Sequence, residues 1–143
     1  MNSWSDGRLS PEQSALVKEN LPGSKLMADL GWGLIDTNVF HVGTPAGEFI
    51  IKASGPNNHH LVREINAHLS VVPALAAVGL APHICFHSRE QSLLITEYLP
   101  GKIADGTLAE FEPDVHSQAG NILAKIHEQS EQLDTVYEAR QIE

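Results

Sequence analysis

The sequence predicts an α+β fold in which a five-stranded antiparallel sheet carries packed helices. Short segments rich in β-branched and aromatic residues, each bounded by turn residues, lie at 25–30, 37–42, 48–53, 82–87 and 92–98. Within 25–53 and within 82–98 the connections are too short for a helical crossover, which favours antiparallel pairing. With 143 residues, 42% of them hydrophobic, the chain has the size and apolar content of one domain.

A polar tail over residues 1–9 precedes the first predicted helix. Ser10 is a suitable N-cap, Pro11 takes the first helical position, and Gln13 stands where a capping box needs its second partner. The helix is predicted to end near Asn20, because a Leu-Pro-Gly sequence follows. Its apolar face is short, so we expect it to lie against a larger body.

Two longer helices are predicted from apolar spacing. Asn58 is the N-cap of the first, and Leu61, Ile65 and Leu69 recur at every fourth position as its buried stripe. A short helical turn over 74–78 follows it. The last helix begins at the Pro-Asp pair at 113–114, and its apolar residues at helical spacing are Val115, Ala119, Ile122, Leu123 and Ile126.

Composition excludes several classes of partner and compartment. Nine Lys and Arg against eighteen Asp and Glu give a net charge of −9, with no basic stretch to offset it, which argues against general binding to duplex nucleic acid. The single Cys85 forms no internal disulfide, which favours a reducing compartment. The N-terminus is polar, and no apolar run reaches the roughly 20 residues of a membrane span. We expect a cytoplasmic protein with no nucleic-acid or membrane partner.

A lysine and a glutamate are predicted to meet beside a glycine turn. Lys52 lies on a strand that is otherwise apolar on both faces, and Glu64 lies beside the buried stripe of the next helix. Isolated charge is costly in such places, so each is the other's expected partner. Gly31 and Gly33 form a tight turn whose N–H groups can approach phosphate oxygens. Taken singly, the glycine turn is typical of an ordinary hairpin and the strand lysine of a surface charge. Their order and spacing together are a more specific signal than either feature alone.

In this order the motifs resemble those of the kinase-like small-molecule phosphotransferases, the group of the aminoglycoside phosphotransferases, choline kinases and thiamine kinases. The resemblance spans residues 24–128. Its segments are Gly31-x-Gly33-x-x-x-Thr37-Asn38-Val39, Phe49-Ile50-Ile51-Lys52, Arg63-Glu64 within LVREINAHL, LLITEYLPG at 93–101 and GNILAKIH at 120–127. LLITEYLPG looks like the family's last N-lobe strand and hinge, and GNILAKIH looks like its first C-lobe helix.

The resemblance implies a lobe that binds ATP or GTP, with Mg²⁺ accompanying the nucleotide. The residues that would cover the phosphates are Gly31, Gly33, Thr37 and Asn38. Lys52 would bind the phosphates while Glu64 holds it, and the hinge backbone at Glu97 and Leu99 would bind the purine edge. Asp36 stands where a protein kinase has a third glycine, and a carboxylate near phosphate is unfavourable unless it points away.

The resemblance also divides the chain. Residues 1–23 are an N-terminal tail and helix, 24–101 the nucleotide-binding lobe with its hinge, and 102–143 a linker with the first helix of a second lobe. The family's catalytic Asp and its Mg²⁺ ligands come from later motifs, which this sequence does not contain. The segment from Asp114 to Asn121 has a similar residue order but too long a spacing, and we reject it. No catalytic residue or metal ligand is assigned, so we expect a chain that does not catalyse alone.

Alternatives remain open at this point. The chain is either such a lobe, with an aminoglycoside, choline or thiamine-like acceptor, or a non-catalytic nucleotide-binding or interaction module, including a truncated remnant. The apolar face of the helix over 114–127 predicts self-association or docking on the rest of a C-lobe. His83, Cys85 and His87 alternate on one face of a predicted strand, a pattern that can bind zinc. No acidic ligand is fixed nearby and Cys85 lies between apolar Ile84 and Phe86, so ordinary packing and surface histidines are the preferred interpretation.

Overall fold

An antiparallel sheet organises the computed structural model, which describes residues 4–31, 33, 37–56 and 58–130. Residues 129 and 130 are described by their backbone only. The strands are β1 (Lys25–Asp29), β2 (Thr37–Thr44), β3 (Gly47–Ser54), β4 (Ile84–Ser88) and β5 (Leu93–Glu97). The helices are α1 (Pro11–Asn20), α2 (His59–Ser70), α3 (Val72–Ala77) and α4 (Pro113–Ser130), with a 3₁₀ turn at Leu108–Phe111. The sheet order is β1-β2-β3-β5-β4, and every neighbouring pair is antiparallel. The predicted α+β class with five antiparallel strands is confirmed.

One face of the sheet packs against α1. Phe40, Ile51 and Ile95 lie opposite one another on three neighbouring strands, so their side chains share this face. All three are completely buried, and Val17 of α1 is buried in the same cluster. Removing these apolar side chains from water is the main stabilising contribution of this layer.

Residues 4–9 are not the loose tail that their polar composition predicts. Trp4 meets the ring of Phe40 edge-on, with 5.3 Å between ring centroids, and its indole N–H donates to the Ser24 carbonyl over 3.2 Å. Leu9 is buried in the same core. Trp4 and Leu9 therefore anchor a segment whose average composition is polar. The free energy gained by packing one indole ring outweighs the cost of ordering the exposed residues beside it.

Gln13 ties α1 to the sheet. The predicted capping box is present: the Ser10 hydroxyl accepts from the Gln13 N–H, and the Gln13 side-chain oxygen accepts from the Ser10 N–H. The side-chain NH₂ of Gln13 also donates to the carbonyls of Ser54, over 2.9 Å, and Gln91, over 2.7 Å. One amide therefore starts the helix and binds the ends of two strand segments.

α2 covers the opposite face of the sheet, beginning at the predicted cap Asn58. Leu61 and Ile65 are buried as predicted, but Leu69 is 40% exposed and His68 is buried instead. The predicted stripe is wrong at its third position. Successive residues of an α-helix are about 100° apart around its axis. His68, seven positions after Leu61, therefore lies within about 20° of Leu61 around the axis, whereas Leu69, eight positions after it, lies about 80° away.

α4 begins at the predicted proline and lies mostly in solvent. Of its described side chains, only Val115 and Ile126 are partly covered, and Ile122 and Leu123 are 45% and 52% exposed. Among the described residues, no helix combines the length and apolar character needed to cross a membrane.

Candidate functional site

Lys52 and Glu64 form an ion pair between β3 and α2. Lys52 lies opposite Leu94, which is buried beneath α2, so its side chain is directed to the α2 face. Its Nζ donates to Glu64 Oε1 over 2.5 Å, and the two side chains are 33% and 35% exposed. The pairing predicted from the cost of isolated charge is therefore present in the structure, at a position that remains accessible to a ligand.

The environment of Glu64 keeps it ionised. Burial acts to raise the pKa of Glu64, but the side chains of His68 and Lys52 outweigh this, so the pKa lies below its ordinary value. On geometry Lys52 is the stronger partner, because the Nε2 of His68 lies 3.8 Å from Glu64 Oε1, beyond hydrogen-bond length. At neutral pH the carboxylate therefore holds the ammonium group in place.

His68 is a site residue that the sequence reasoning missed. Its side chain is 10% exposed, its Nε2 faces the Glu64 oxygen that binds Lys52, and its Nδ1 is buried without a hydrogen-bond partner among the described residues. The available signal was its spacing, since the fourth residue after Glu64 lies on the same side of the helix.

These three side chains line an open cleft of about 240 Å³. The segment at the end of β5 and after it, predicted above as a hinge and called the hinge below, lines the same cleft. The full lining of the cleft is Ile50, Lys52, Glu64, His68, Pro82, Thr96, Glu97, Tyr98 and Leu99. The structure therefore brings together four of the residues singled out in the sequence, namely Lys52, Glu64, Glu97 and Leu99. Apolar, backbone and charged groups meet in one depression between β3, α2 and the hinge.

The hinge is held by its neighbours. The N–H of Glu97 donates to the His83 carbonyl and that of Tyr98 to the Glu48 carbonyl, both over 3.0 Å. The Tyr98 ring stacks on His41, with 3.9 Å between centroids, and His41 Nε2 lies 2.7 Å from the Glu48 carboxylate. Because the Glu97 N–H is engaged, the carbonyl is the backbone group of Glu97 that remains for a hydrogen bond to a ligand.

The glycine turn lies only partly within the described residues. The Gly31 N–H donates to Asp29 Oδ1 over 2.9 Å, and a Cβ at this position would approach that oxygen to 3.1 Å. Gly33 has φ +69°, a conformation that favours glycine. Neither residue lines the cleft. Asp36, the departure from the kinase pattern, lies outside the described residues.

Thr37 and Asn38 have structural partners. The Thr37 hydroxyl accepts from the Asn58 side-chain amide over 2.9 Å, which joins the start of β2 to the cap of α2. The Asn38 amide donates to the Arg8 carbonyl over 3.0 Å. Neither lines the cleft, so in this structure both side chains hold neighbouring segments to the sheet.

The geometric premise of a zinc site on β4 is wrong. A β-bulge separates Ile84 from Phe86, which pair with consecutive residues of β5 and so point to opposite faces. His83, Cys85 and His87 consequently do not share one face. Among the described residues no three His, Cys, Asp or Glu side chains are placed to hold a metal ion. Burial also raises the pKa of the Cys85 thiol, which keeps it protonated at neutral pH.

The fold and the cleft together give an α+β structure in which a paired lysine and glutamate lie beside the segment that follows β5. No protein-family model matches the chain, and no curated protein matches it in sequence. Chemically, the cleft offers a fixed ammonium group for an anion. Next to it, Ile50 and Leu99 offer apolar surface, and the hinge offers backbone groups for a planar ring.

Proposed function

We propose that the chain is the ATP- or GTP-binding lobe of a phosphotransferase that acts on a small-molecule hydroxyl. The observation that carries the proposal is the Lys52–Glu64 pair, with 2.5 Å between Nζ and Oε1, in a cleft that the hinge also lines. A lysine of a sheet strand, held by a glutamate of the covering helix, is the arrangement with which kinase-like enzymes bind nucleotide phosphates.

Each side of the cleft has its own task in this proposal. Lys52 neutralises phosphate oxygens, and the ionised Glu64 holds its flexible side chain in position. Ile50 and Leu99 pack on the faces of the purine, while the Glu97 carbonyl accepts a hydrogen bond from its edge. Nucleotide is therefore bound by charge at one end of the cleft and by shape at the other.

Mg²⁺ accompanies nucleotides in this class of enzyme, but the described residues do not supply a site for it. No cluster of three metal-ligating side chains exists in the described part of the chain, and the Glu64 carboxylate is engaged by Lys52. We therefore propose no metal ligand and no transfer step, and we leave the acceptor unassigned among aminoglycoside, choline and thiamine-like alcohols. The proposed role of the chain on its own is binding.

The test is a thermal unfolding series with ATP and with GTP at millimolar concentration. At ten times Kd, binding to the native state stabilises by about 1.4 kcal/mol, which raises Tm by about 4–6 °C. Lys52→Ala is expected to remove this gain. The matched control is Lys25→Ala, on the exposed edge strand β1, which is expected to keep it.

Two results would overturn the proposal. One is an unchanged Tm of the wild-type chain with both nucleotides, and the other is a Lys52→Ala variant that retains the full gain. Phosphate transfer by the chain alone to an aminoglycoside or an amino alcohol would contradict the narrower statement that its role is binding.

As a second function we propose self-association through α4. The supporting observation is the exposure of Ile122 and Leu123, two large apolar side chains one position apart on a helix that packs little against the sheet. Burial of such side chains between two copies is favourable by the hydrophobic effect.

A further inference from the structure

A third ionisable side chain shares the Lys52–Glu64 pair. His68 lies one turn after Glu64 on α2, and its Nε2 is 3.8 Å from Oε1, the carboxylate oxygen that accepts the bond from Lys52. The separation is about 1 Å longer than a hydrogen bond. A small movement therefore brings the imidazole into direct contact with the same oxygen.

The other ring nitrogen has no partner among the described residues. Nδ1 of His68 is buried, and no described group bonds to it. Buried polar atoms in native proteins are nearly always hydrogen-bonded, so an unpaired one calls for a reason. A proton on Nδ1 costs free energy in the free cleft, since it is buried without an acceptor.

The charges that face His68 do not by themselves favour a polyanion. The ionisable side chains on the α2 face that line the cleft are Lys52 from β3, Glu64 from α2 and Tyr98 after β5. Glu97 pairs with Phe49, which packs in the core beneath α1, so its carboxylate is directed to the other face of the sheet. The neighbouring α3 carries no ionisable side chain, and on β4 Cys85 and His87 are exposed. With His68 neutral, the charges of Lys52 and Glu64 cancel, and with His68 protonated the cleft carries +1.

We propose that His68 is a positioning residue that takes up a proton when a nucleotide polyphosphate enters the cleft, an inference that rests on the proposed function. The protonated ring donates from Nε2 to Glu64 Oε1 and shares this oxygen with Lys52. Lys52 stays positioned by Glu64, while its weakened bond to the carboxylate leaves more of its charge available to phosphate. The negative charge of the ligand offsets the cost of the buried second N–H, so proton uptake and binding favour each other reciprocally.

The experiment measures ATP affinity by titration calorimetry between pH 5.5 and 8, the range in which histidine changes charge. Wild type is compared with His68→Gln, whose amide keeps hydrogen-bonding capacity but takes up no proton. The ratio of the two affinities at each pH cancels the titration of ATP itself. From pH 8 to pH 5.5 this ratio is expected to change about fivefold in favour of wild type.

Controls separate proton linkage from a structural effect. His87→Gln, at an exposed position on β4, is expected to keep the wild-type pH dependence. A purely structural role for His68 would lower the affinity of His68→Gln equally at every pH, and that outcome overturns the inference while the proposed function stands. Absence of binding by wild type at every pH, to ATP and to GTP alike, overturns both.

A second measurement needs no variant. The Cε1–H resonance of His68 in the wild-type chain is followed against pH by NMR, with and without ATP. Protonation at a higher pH when ATP is present supports proton uptake on binding. An identical titration in both conditions, with ATP bound, overturns it.

Discussion

At the scale of single residues, the Lys52–Glu64 pair follows from an energetic rule that depends only on residue type and expected burial. A lysine on a covered strand and a glutamate beside a buried helix stripe each need a partner, and they are 12 positions apart with Nζ and Oε1 in hydrogen-bond contact. His68 was not predicted by the same rule, because a histidine at neutral pH carries no obligatory charge. Its spacing from Glu64 is the available signal in the sequence, and the burial of its ring beside Glu64 identifies it as a site residue.

Replacing Glu64 by Gln tests the electrostatics of the pair. At pH 7 the free energy of unfolding is expected to fall by about 0.5–1 kcal/mol, a modest loss because both side chains are one-third exposed. The pKa of Glu64 is lowered in the folded chain, so its stabilisation is present above the ordinary value of 4.5 and disappears as pH falls below it. Urea unfolding at pH 7, 5, 4 and 3 measures the difference from wild type.

Glu90→Gln, in the exposed turn between β4 and β5, is the control and is expected to stay within about 0.5 kcal/mol of wild type throughout. A Glu64→Gln deficit that is absent at pH 7, or that persists unchanged at pH 3, contradicts the assigned role of the ionised carboxylate.

At the scale of elements, local signals located α1 and α2 but did not determine every buried position. The capping box of Ser10 and Gln13 and the cap at Asn58 are local features, and both are present. The third buried position of α2 was misassigned from Leu69 to His68, because the sheet selects a face along a helix with 3.6 residues per turn. The bulge in β4 could not be predicted either, since it depends on pairing with β5.

Two leucines of α2 provide a matched test of that face. Leu61 is 2% exposed, and Leu61→Ala is expected to lower the free energy of unfolding by about 2–4 kcal/mol through lost burial and a cavity. Leu69 is 40% exposed, and Leu69→Ala is expected to cost less than about 1 kcal/mol. Denaturant unfolding of the two variants measures both quantities, and equal losses would contradict the observed orientation of α2.

At the scale of the whole molecule, the described chain is well packed around the sheet and sparsely packed beyond the hinge. Both faces of the sheet are covered, by α1 with residues 4–9 and by α2. Among the described residues beyond the hinge, the large apolar side chains that are exposed are Ile103, Leu108, Phe111, Ile122 and Leu123. Exposed apolar surface of this kind is typical of interaction surfaces.

Self-association through α4 is expected to appear as a concentration-dependent sedimentation coefficient at high micromolar protein. Leu123→Glu places a charge in the apolar stripe and is expected to shift the chain toward monomer. Ser117→Glu makes the same charge change at an exposed polar position on the opposite side of the same helix and is expected to leave association unchanged. A wild-type chain that stays monomeric over the whole range would refute the proposal.

By itself the sequence determined the class of fold, the order of strands and main helices along the chain, two helix caps and the pairing of Lys52 with Glu64. These are consequences of local backbone chemistry and of the cost of isolated charge, which act wherever the residues occur. Tertiary structure decided the packing of residues 4–9, the exposure of Leu69 and the burial of His68. It also joined Lys52, Glu64 and the hinge in one cleft. These depend on which faces meet across the sheet, and periodicity along one segment does not contain that information.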